Sequence, residues 1–311
     1  MSNLDVVAVG ELNPDLILGG LPGLPRLGRE ILAGRCTFTL GSSTALCAAN
    51  LAALGLRGGF VGKVGDDLFG EFILRSLHER RIDASRVIRD PTVRTGVTVS
   101  LACPQDRAMV TFPGAMASLR AEEVDWEYVR QARHLHLSSP FLQEGLRPGC
   151  ATLLREAKER GLTVSLDPGW DPKEQWDAGI ERLYPWLDVL FVNEGEAVAL
   201  GRQAEWRDAA ADLAGRVSAV VVKRGREGAS AIQQGAWFDR AGFSVEAMDP
   251  TGAGDAFNAG FLFGWLSGWP MHDCLTWGNA CGALTAAHPG GSGAFSHRED
   301  VEAFIRSRQG S

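Results

Sequence analysis

Nine consecutive residues carry the plainest chemical signal in this sequence: Asp249-Pro250-Thr251-Gly252-Ala253-Gly254-Asp255-Ala256-Phe257. Pro250 biases Asp249 toward extended backbone. Two glycines then bracket one alanine, so Gly252, Ala253 and Gly254 present successive N–H groups with almost no side-chain bulk. The apolar stretch from Ala256 onward reads as a helix. Bare amides at a helix start bind anions, reinforced by the helix dipole. Asp255 stands beside them. A carboxylate next to a bound phosphate has one natural task, which is to take the proton of a hydroxyl attacking phosphorus. The competing reading is a helix cap, a common role for Asp. A cap, however, does not call for bulk-free backbone ahead of it.

Other chemistries fail on spacing. Gly62-Lys63 is followed by Val64 and position 57 is Arg, so no Walker A loop forms there; a dinucleotide fingerprint would need glycine where Phe257 stands. The six histidines show no HExxH spacing, and His134 and His136 alternate on a strand as structural residues would. Gly290-Gly291-Ser292-Gly293 reads as a flexible loop on the nucleotide side. Cys36, Cys47, Cys103, Cys150, Cys274 and Cys281 form no CxxC pair and read as buried free thiols of a reducing, cytoplasmic compartment. No secretory signal is visible at the start of the chain.

The elements that must position these groups alternate. Val6–Val9, Phe60-Val61, His134–Leu137, Leu162–Leu166, Val189–Val192 and Ala219–Val222 read as buried strands. Thr44–Leu54, Asp67–Arg80, Arg147–Arg160 and Ala209–Arg216 read as helices, the first closed by Gly55. Strands alternating with helices imply an α/β fold with a parallel sheet and helices on both faces. Thr95–Leu101 and Ala108–Phe112 alternate like strands of a half-exposed sheet, and the turn-rich segments near 19–40 and 91–115 are the candidates for an accessory lid. From Asp249 to His297 there is no Lys or Arg and only three carboxylates, Asp249, Asp255 and Asp273. Helices so poor in charge belong in a core, so ionised groups at their start need an explanation.

DPTGAGDAFNAGF (249–261) closely resembles the C-terminal motif of the ribokinase-like (PfkB-type) carbohydrate kinases, and the resemblance covers nearly the whole chain. GELNPD (10–15), GSSTALCAANLAALG (41–55), GKVGDDLFG (62–70), LDPGWDPKEQW (166–176), the Asn193/Glu196 NxxE element, KRGREG (223–228) and Asn279 follow in family order. The resemblance implies a ribokinase-like three-layer sandwich over 1–311, with a mostly parallel central sheet and a discontinuous β-sheet lid near 15–39 and 93–113. It implies transfer of the ATP γ-phosphate to a hydroxyl of a sugar or sugar-like substrate. Asp255 would then be the general base, with Gly252, Ala253 and Gly254 as the anion hole. Asn193 and Glu196 would hold Mg²⁺ through water, though alone they read as a loop Asn and a solvated helix Glu. Asn13 and Asp15, with Gly41 and Ser42, would bind the sugar; an Asx turn around Pro14 is the plainer reading of the first two. Lys223, Gly225, Gly228 and Asn279 would line the nucleotide side, although the glycines also suit a hairpin and Asn279 also suits a backbone tie. In some relatives a monovalent cation (K⁺) sits near the loops matching Asp249–Thr251 and 287–293, and some dimerise through the lid.

This chain departs from the pattern at Ser42, where the family has a second glycine, at Leu46 in place of an Asn, and at Ser138 in place of a Glu. Ribose itself is therefore disfavoured, and a larger, less polar or modified sugar, or a nucleoside, is favoured. No basic cluster near 10–46 clearly grips a sugar phosphate; Arg26, Arg29 and Arg35 have no assigned place. A nucleoside kinase and a catalytically silent sugar or nucleotide sensor on the same fold stay open as alternatives.

Composition bounds all of this. The 311 residues are 45% hydrophobic and 22% charged, values of a globular chain rather than a disordered one. The net charge of -7 supplies no positive field for nucleic acid or an anionic membrane surface. The weakly polar run from Ala256 to Met271 is too short and too interrupted to span a membrane.

Overall fold

Val6-Val7-Ala8-Val9 has no polar side chain, and every one of its residues is buried. Such a strand belongs inside a sheet covered on both faces. In the computed structural model, which describes residues 4–103, 107–288 and 293–309, this is strand β1 (Val6–Val9). The others are β2 (Pro14–Gly19), β3 (Arg35–Leu40), β4 (Gly58–Gly65), β5 (Asp83–Asp90), β6 (Val97–Ala102), β7 (Arg107–Phe112), β8 (His134–Ser138), β9 (Thr163–Asp167), β10 (Val189–Asn193), β11 (Ala219–Lys223), β12 (Ala229–Gln233) and β13 (Ala236–Arg240). The helices are α1 (Ser43–Ala53), α2 (Leu68–Glu79), α3 (Trp126–Val129), α4 (Cys150–Glu159), α5 (Glu194–Gly201), α6 (Trp206–Ala214), α7 (Ala253–Leu266), α8 (Met271–Ala286) and α9 (Arg298–Gln309).

The large sheet runs β13-β12-β11-β10-β9-β8-β1-β4-β5. It is parallel except for β12 and β13, which fold back as an antiparallel hairpin at one edge. Alternate residues feed the two faces. Leu190 and Val192 join the core under α4, α5 and α6, while Val189 and Phe191 join the core under α1, α7 and α8. This is the expected three-layer α/β sandwich. A second sheet, ordered β3-β2-β6-β7, stands apart from it.

The charge-poor helices α7 and α8 pack on each other. A Cβ on Gly260 would stand 2.5 Å from the Trp277 carbonyl oxygen, so only glycine permits that approach. Among the described residues no helix is long and apolar enough to cross a membrane. Cys47, Cys150, Cys274 and Cys281 are buried free thiols, but Cys36 is exposed and Cys103 half-exposed. The expectation of uniformly buried cysteines is corrected there: β3 is exposed over Arg35–Phe38, so Cys36 lies on an open strand.

Candidate active site

Strands β1, β8, β9, β10 and β11 end on one edge of the sheet, where ligands of α/β folds bind. Helix α7 starts there as well, at Ala253, with Gly252 as N-cap at φ +73°. That left-handed backbone is open to glycine at little cost. The Ala253 amide donates to the Pro250 carbonyl at 3.2 Å, and the Thr251 amide to Asp249 Oδ1 at 2.9 Å. The Gly252, Gly254 and Asp255 amides find no acceptor among the described residues. Of the expected donors Gly252, Ala253 and Gly254, the tight turn ahead of the helix engages the Ala253 amide and leaves the two glycine amides open. Asp255 lies inside the first turn and is not the cap.

Burial raises the Asp255 pKa well above the ordinary 3.8, the Asp167 and Glu11 charges push the same way, and Lys223 and the Ser43 hydroxyl pull back. A half-buried carboxylate tuned toward neutrality suits a general base. Lys223 Nζ pairs with Asp167 Oδ2 at 2.6 Å, and Asn258 Nδ2 donates to the same oxygen at 2.6 Å. Burial would raise Asp167, yet Lys223, Asn258 and the Gly169 amide hold it below the ordinary range. Lys223 Nζ also stands 3.5 Å from where a Gly254 Cβ would be. The side chain therefore reaches the anion turn, at the phosphate end of the nucleotide side that the resemblance implies for it.

Asn193 and Glu196 form a reciprocal cap on α5: Asn193 Oδ1 accepts from the Glu196 amide and Glu196 Oε2 from the Asn193 amide, both at 2.8 Å. They are neither a bare loop Asn nor a solvated Glu. Glu196 is buried, with its pKa raised by burial and by the nearby Asp167. No group of three His, Cys, Asp or Glu side chains able to cage a metal occurs among the described residues. The residues therefore fit a divalent ion that arrives with phosphate oxygens and keeps its waters, as Mg²⁺ commonly does, and that Asn193 and Glu196 would hold through water. Of the expected K⁺ shell, Asp249–Thr251 is described, whereas 289–292, with most of the Gly290–Gly293 loop, lies outside the described residues.

On the sugar side, Asn13 Nδ2 donates to Asp15 Oδ1 at 3.0 Å and to Thr98 Oγ1 of the second sheet at 3.2 Å. Burial pushes Asp15 up to about 6, with Asn13 and Arg107 opposing. A Cβ on Gly41 would stand 2.0 Å from Asp15 Oδ1, so Gly41 makes room for that carboxylate. Ser42 spends its hydroxyl on the chain: Oγ donates to the Glu11 carbonyl at 2.5 Å and accepts from the Ala45 amide at 3.1 Å as the cap of α1. This offsets its φ of +70° and leaves its hydroxyl no proton to donate to a sugar. Gly225 (φ +54°) is open, with no atom within 4 Å of a built Cβ. Gly228 is closed by the Arg240 carbonyl at 2.1 Å from a built Cβ, which makes it a hairpin residue. Asn279 Nδ2 donates to the Arg240 and Ala241 carbonyls, so this donor is not left for a nucleotide.

Sequence reasoning gave no role to Asp167, Asn258, Glu11, Gln143 or Arg107. Glu11 sits under the α1 start, accepting from the Thr44 amide (3.2 Å), Thr44 Oγ1 (2.5 Å) and Gln143 Nε2 (3.2 Å). Arg107 Nη1 crosses from the second sheet to Thr251 Oγ1 at 2.7 Å. The available signal was a charged residue ending an apolar strand, as in Leu166-Asp167 and Val222-Lys223. His134 and His136 are buried in a hydroxyl chain through Ser165 to Ser138, as structural residues; burial lowers His136 to about 4.

Burial raises Glu11 from 4.5 to about 7. Folding then favours its protonated form, so its contribution is complete below pH 4.5 and is lost as pH climbs through 7. Glu11→Gln removes that loss. Urea unfolding should show the variant gaining on the wild type between pH 5 and 8, by at most about 3 kcal/mol. A difference independent of pH would rule out a buried, titrating Glu11.

Comparison with known proteins adds an independent line. The pfkB family carbohydrate kinase model matches residues 3–298. An ATP-dependent ribose-1-phosphate kinase of Halopiger xanaduensis is 34% identical over 97% of this chain and 98% of its own. A 5-dehydro-2-deoxygluconokinase of Geobacillus thermodenitrificans is 28% identical over 97% and 93%. A ribokinase-type protein of E. coli, solved with ATP and Mg²⁺, superposes with a TM-score of 0.87 at 25% identity, covering 98% and 99% of the two chains.

Proposed function

The chain belongs to the pfkB family of carbohydrate kinases, and on that premise we propose that it transfers the γ-phosphoryl group of ATP to a hydroxyl of a sugar phosphate, with Asp255 as the general base. The observation that carries this reading is one turn of α7, where Asp255 stands beside the acceptor-free amides of Gly252 and Gly254. Asp255 accepts the proton of the attacking hydroxyl. The amides meet the charge on the transferring group, which counts most where water is scarce. When bound, Mg²⁺ neutralises phosphate charge, with Glu196 toward it through water. The second sheet supports a lid that keeps water, a competing acceptor, from the phosphoryl group. Its exposed Val110 and Phe112, on one face of β7, support a homodimer through that face.

A phosphorylated sugar fits better than the neutral or less polar substrate suggested by Ser42, Leu46 and Ser138. The Ser138 hydroxyl is bonded to His136 Nε2 at 2.8 Å inside the sheet, so it is turned away from sugar binding. Arg107 stands against Thr251 and near Asp15, which puts a guanidinium where sugar groups would lie. Guanidinium pairs phosphate in two-pronged fashion. The relative from Halopiger xanaduensis acts on ribose 1-phosphate by its name.

ADP release with ATP and Mg²⁺ over ribose 1-phosphate, ribose, 5-dehydro-2-deoxygluconate, fructose and adenosine tests the reading. Ribose 1-phosphate should lead. Arg107→Met should raise its KM by roughly 10–100-fold, the loss expected of charged hydrogen bonds, with the KM for ATP unchanged. Preference for adenosine would point to a nucleoside kinase, and silence across a sugar-phosphate panel to a sensor.

A further inference from the structure

We propose that Lys223 is a catalytic residue whose ammonium contacts the phosphoryl group in transit, held there by Asp167, with Asn258 positioning Asp167. This deepens, and rests on, the kinase reading above. Lys223 ends β11 in register with Asn193 of β10. Its side chain therefore leaves the sheet beside the Asn193/Glu196 cap, and it reaches to 3.5 Å from the Gly254 Cβ position. It thus spans the gap between the expected Mg²⁺ side and the acceptor-free amides, where the β- and γ-phosphates must lie if Asp255 is the base.

Charge makes the case stronger. Asp167, Glu196 and Asp255 all act on Lys223. Three carboxylates around one cation would repel a triphosphate, so a phosphate group enters this cleft only with cations already aimed at it. Stability does not explain the pair. Asp167 is 4% exposed, and a well-packed apolar pair often serves a core as well as a buried ion pair does. Asn258 is also placed at a cost. It donates to Asp167 while its own Oδ1 stays buried without a partner among the described residues. Asn258 lies one helical turn after Asp255, so the clamp ties the reactive turn of α7 to β9.

The step balances with no proton taken from or given to Lys223. The bond from the acceptor oxygen to γ-phosphorus forms as the bond from that phosphorus to the ADP oxygen breaks, and the hydroxyl proton passes to Asp255. Lys223 supplies charge alone.

Two variants and two nucleotide probes test this. Lys223→Met leaves Asp167 unpaired, so Asp167→Asn/Lys223→Met serves as the neutral companion that removes the stranded charge. Titration calorimetry with Mg²⁺ compares AMP with the non-transferable analogue AMP-PNP. Loss of the contact should weaken AMP-PNP about tenfold or more in both variants and leave AMP unchanged. With the sugar that the wild type accepts, kcat should fall roughly 10²–10³-fold in both, the loss typical of one charge-stabilising donor. Equal loss for both nucleotides, or near wild-type kcat in the double variant, would overturn the proposal and make the pair structural. A wild type that turns over no sugar would instead defeat the kinase reading, and the AMP and AMP-PNP affinities would still judge Lys223.

Discussion

Asp255→Asn should lower kcat by roughly 10²–10⁴-fold, the usual span for a general base, while ATP affinity stays close to that of the wild type. The amide cannot accept the hydroxyl proton, yet it keeps the shape of the turn. Asp255 does not cap α7, so that helix keeps its Gly252 start in the variant. The pH profile carries a second signature. Burial and the Asp167 and Glu11 charges raise the Asp255 pKa above the ordinary 3.8. Since the ionised form is the base, kcat/KM should fall toward acid with a limb lying above the usual aspartate range, and that limb should vanish from the residual activity of the variant. Near wild-type turnover by Asp255→Asn would refute the role.

The second large effect separates folding from chemistry at a single glycine. Gly254 lies in the first turn of α7, and a Cβ there meets only Lys223, at 3.5 Å. Alanine fits the protein, and in a helix it is favoured over glycine by up to about 1 kcal/mol. Gly254→Ala should therefore unfold at the same temperature as the wild type or higher. On the proposed mechanism, however, a methyl group beside the acceptor-free amides would occupy phosphoryl space, so kcat should drop at least about 10²-fold, the cost of losing one oxyanion donor. Gly254→Val should drop it further. Gly252 is the control. Its φ of +73° makes Gly252→Ala lose stability, by about 1–2 kcal/mol. Full activity in Gly254→Ala at an unchanged melting temperature would remove the phosphoryl group from this turn.

Much of the frame was legible because its signals are local. Asp67 before an amphipathic run marks the start of α2, and the structure shows its carboxylate accepting from the Gly70 amide at 2.9 Å. The β12–β13 hairpin was missed although its turn has a signature. Gln234 and Gly235 both take positive φ, at +52° and +77°, the backbone of a two-residue hairpin turn. Strand β5 was missed because Asp83–Asp90 is a charged, half-exposed edge strand with no strict alternation. Asn279 and Ser42 were legible as polar residues at meaningful places, but the partners that occupy their donors come from distant segments.

By itself the sequence determined what covalent order can hold together: the bare turn ahead of Asp255, the caps, and the apolar strands and charge-poor helices that build the sandwich. Each rests on contacts a few residues apart. Tertiary structure alone decided that Lys223, Asp167 and Asn258 meet at 2.6 Å and that Arg107 reaches Thr251 across 144 positions. The reason is geometric. Strand order β9-β10-β11 sets which side chains leave the sheet edge side by side, and an apolar strand pattern records that a residue is inside without recording which strand lies next to it.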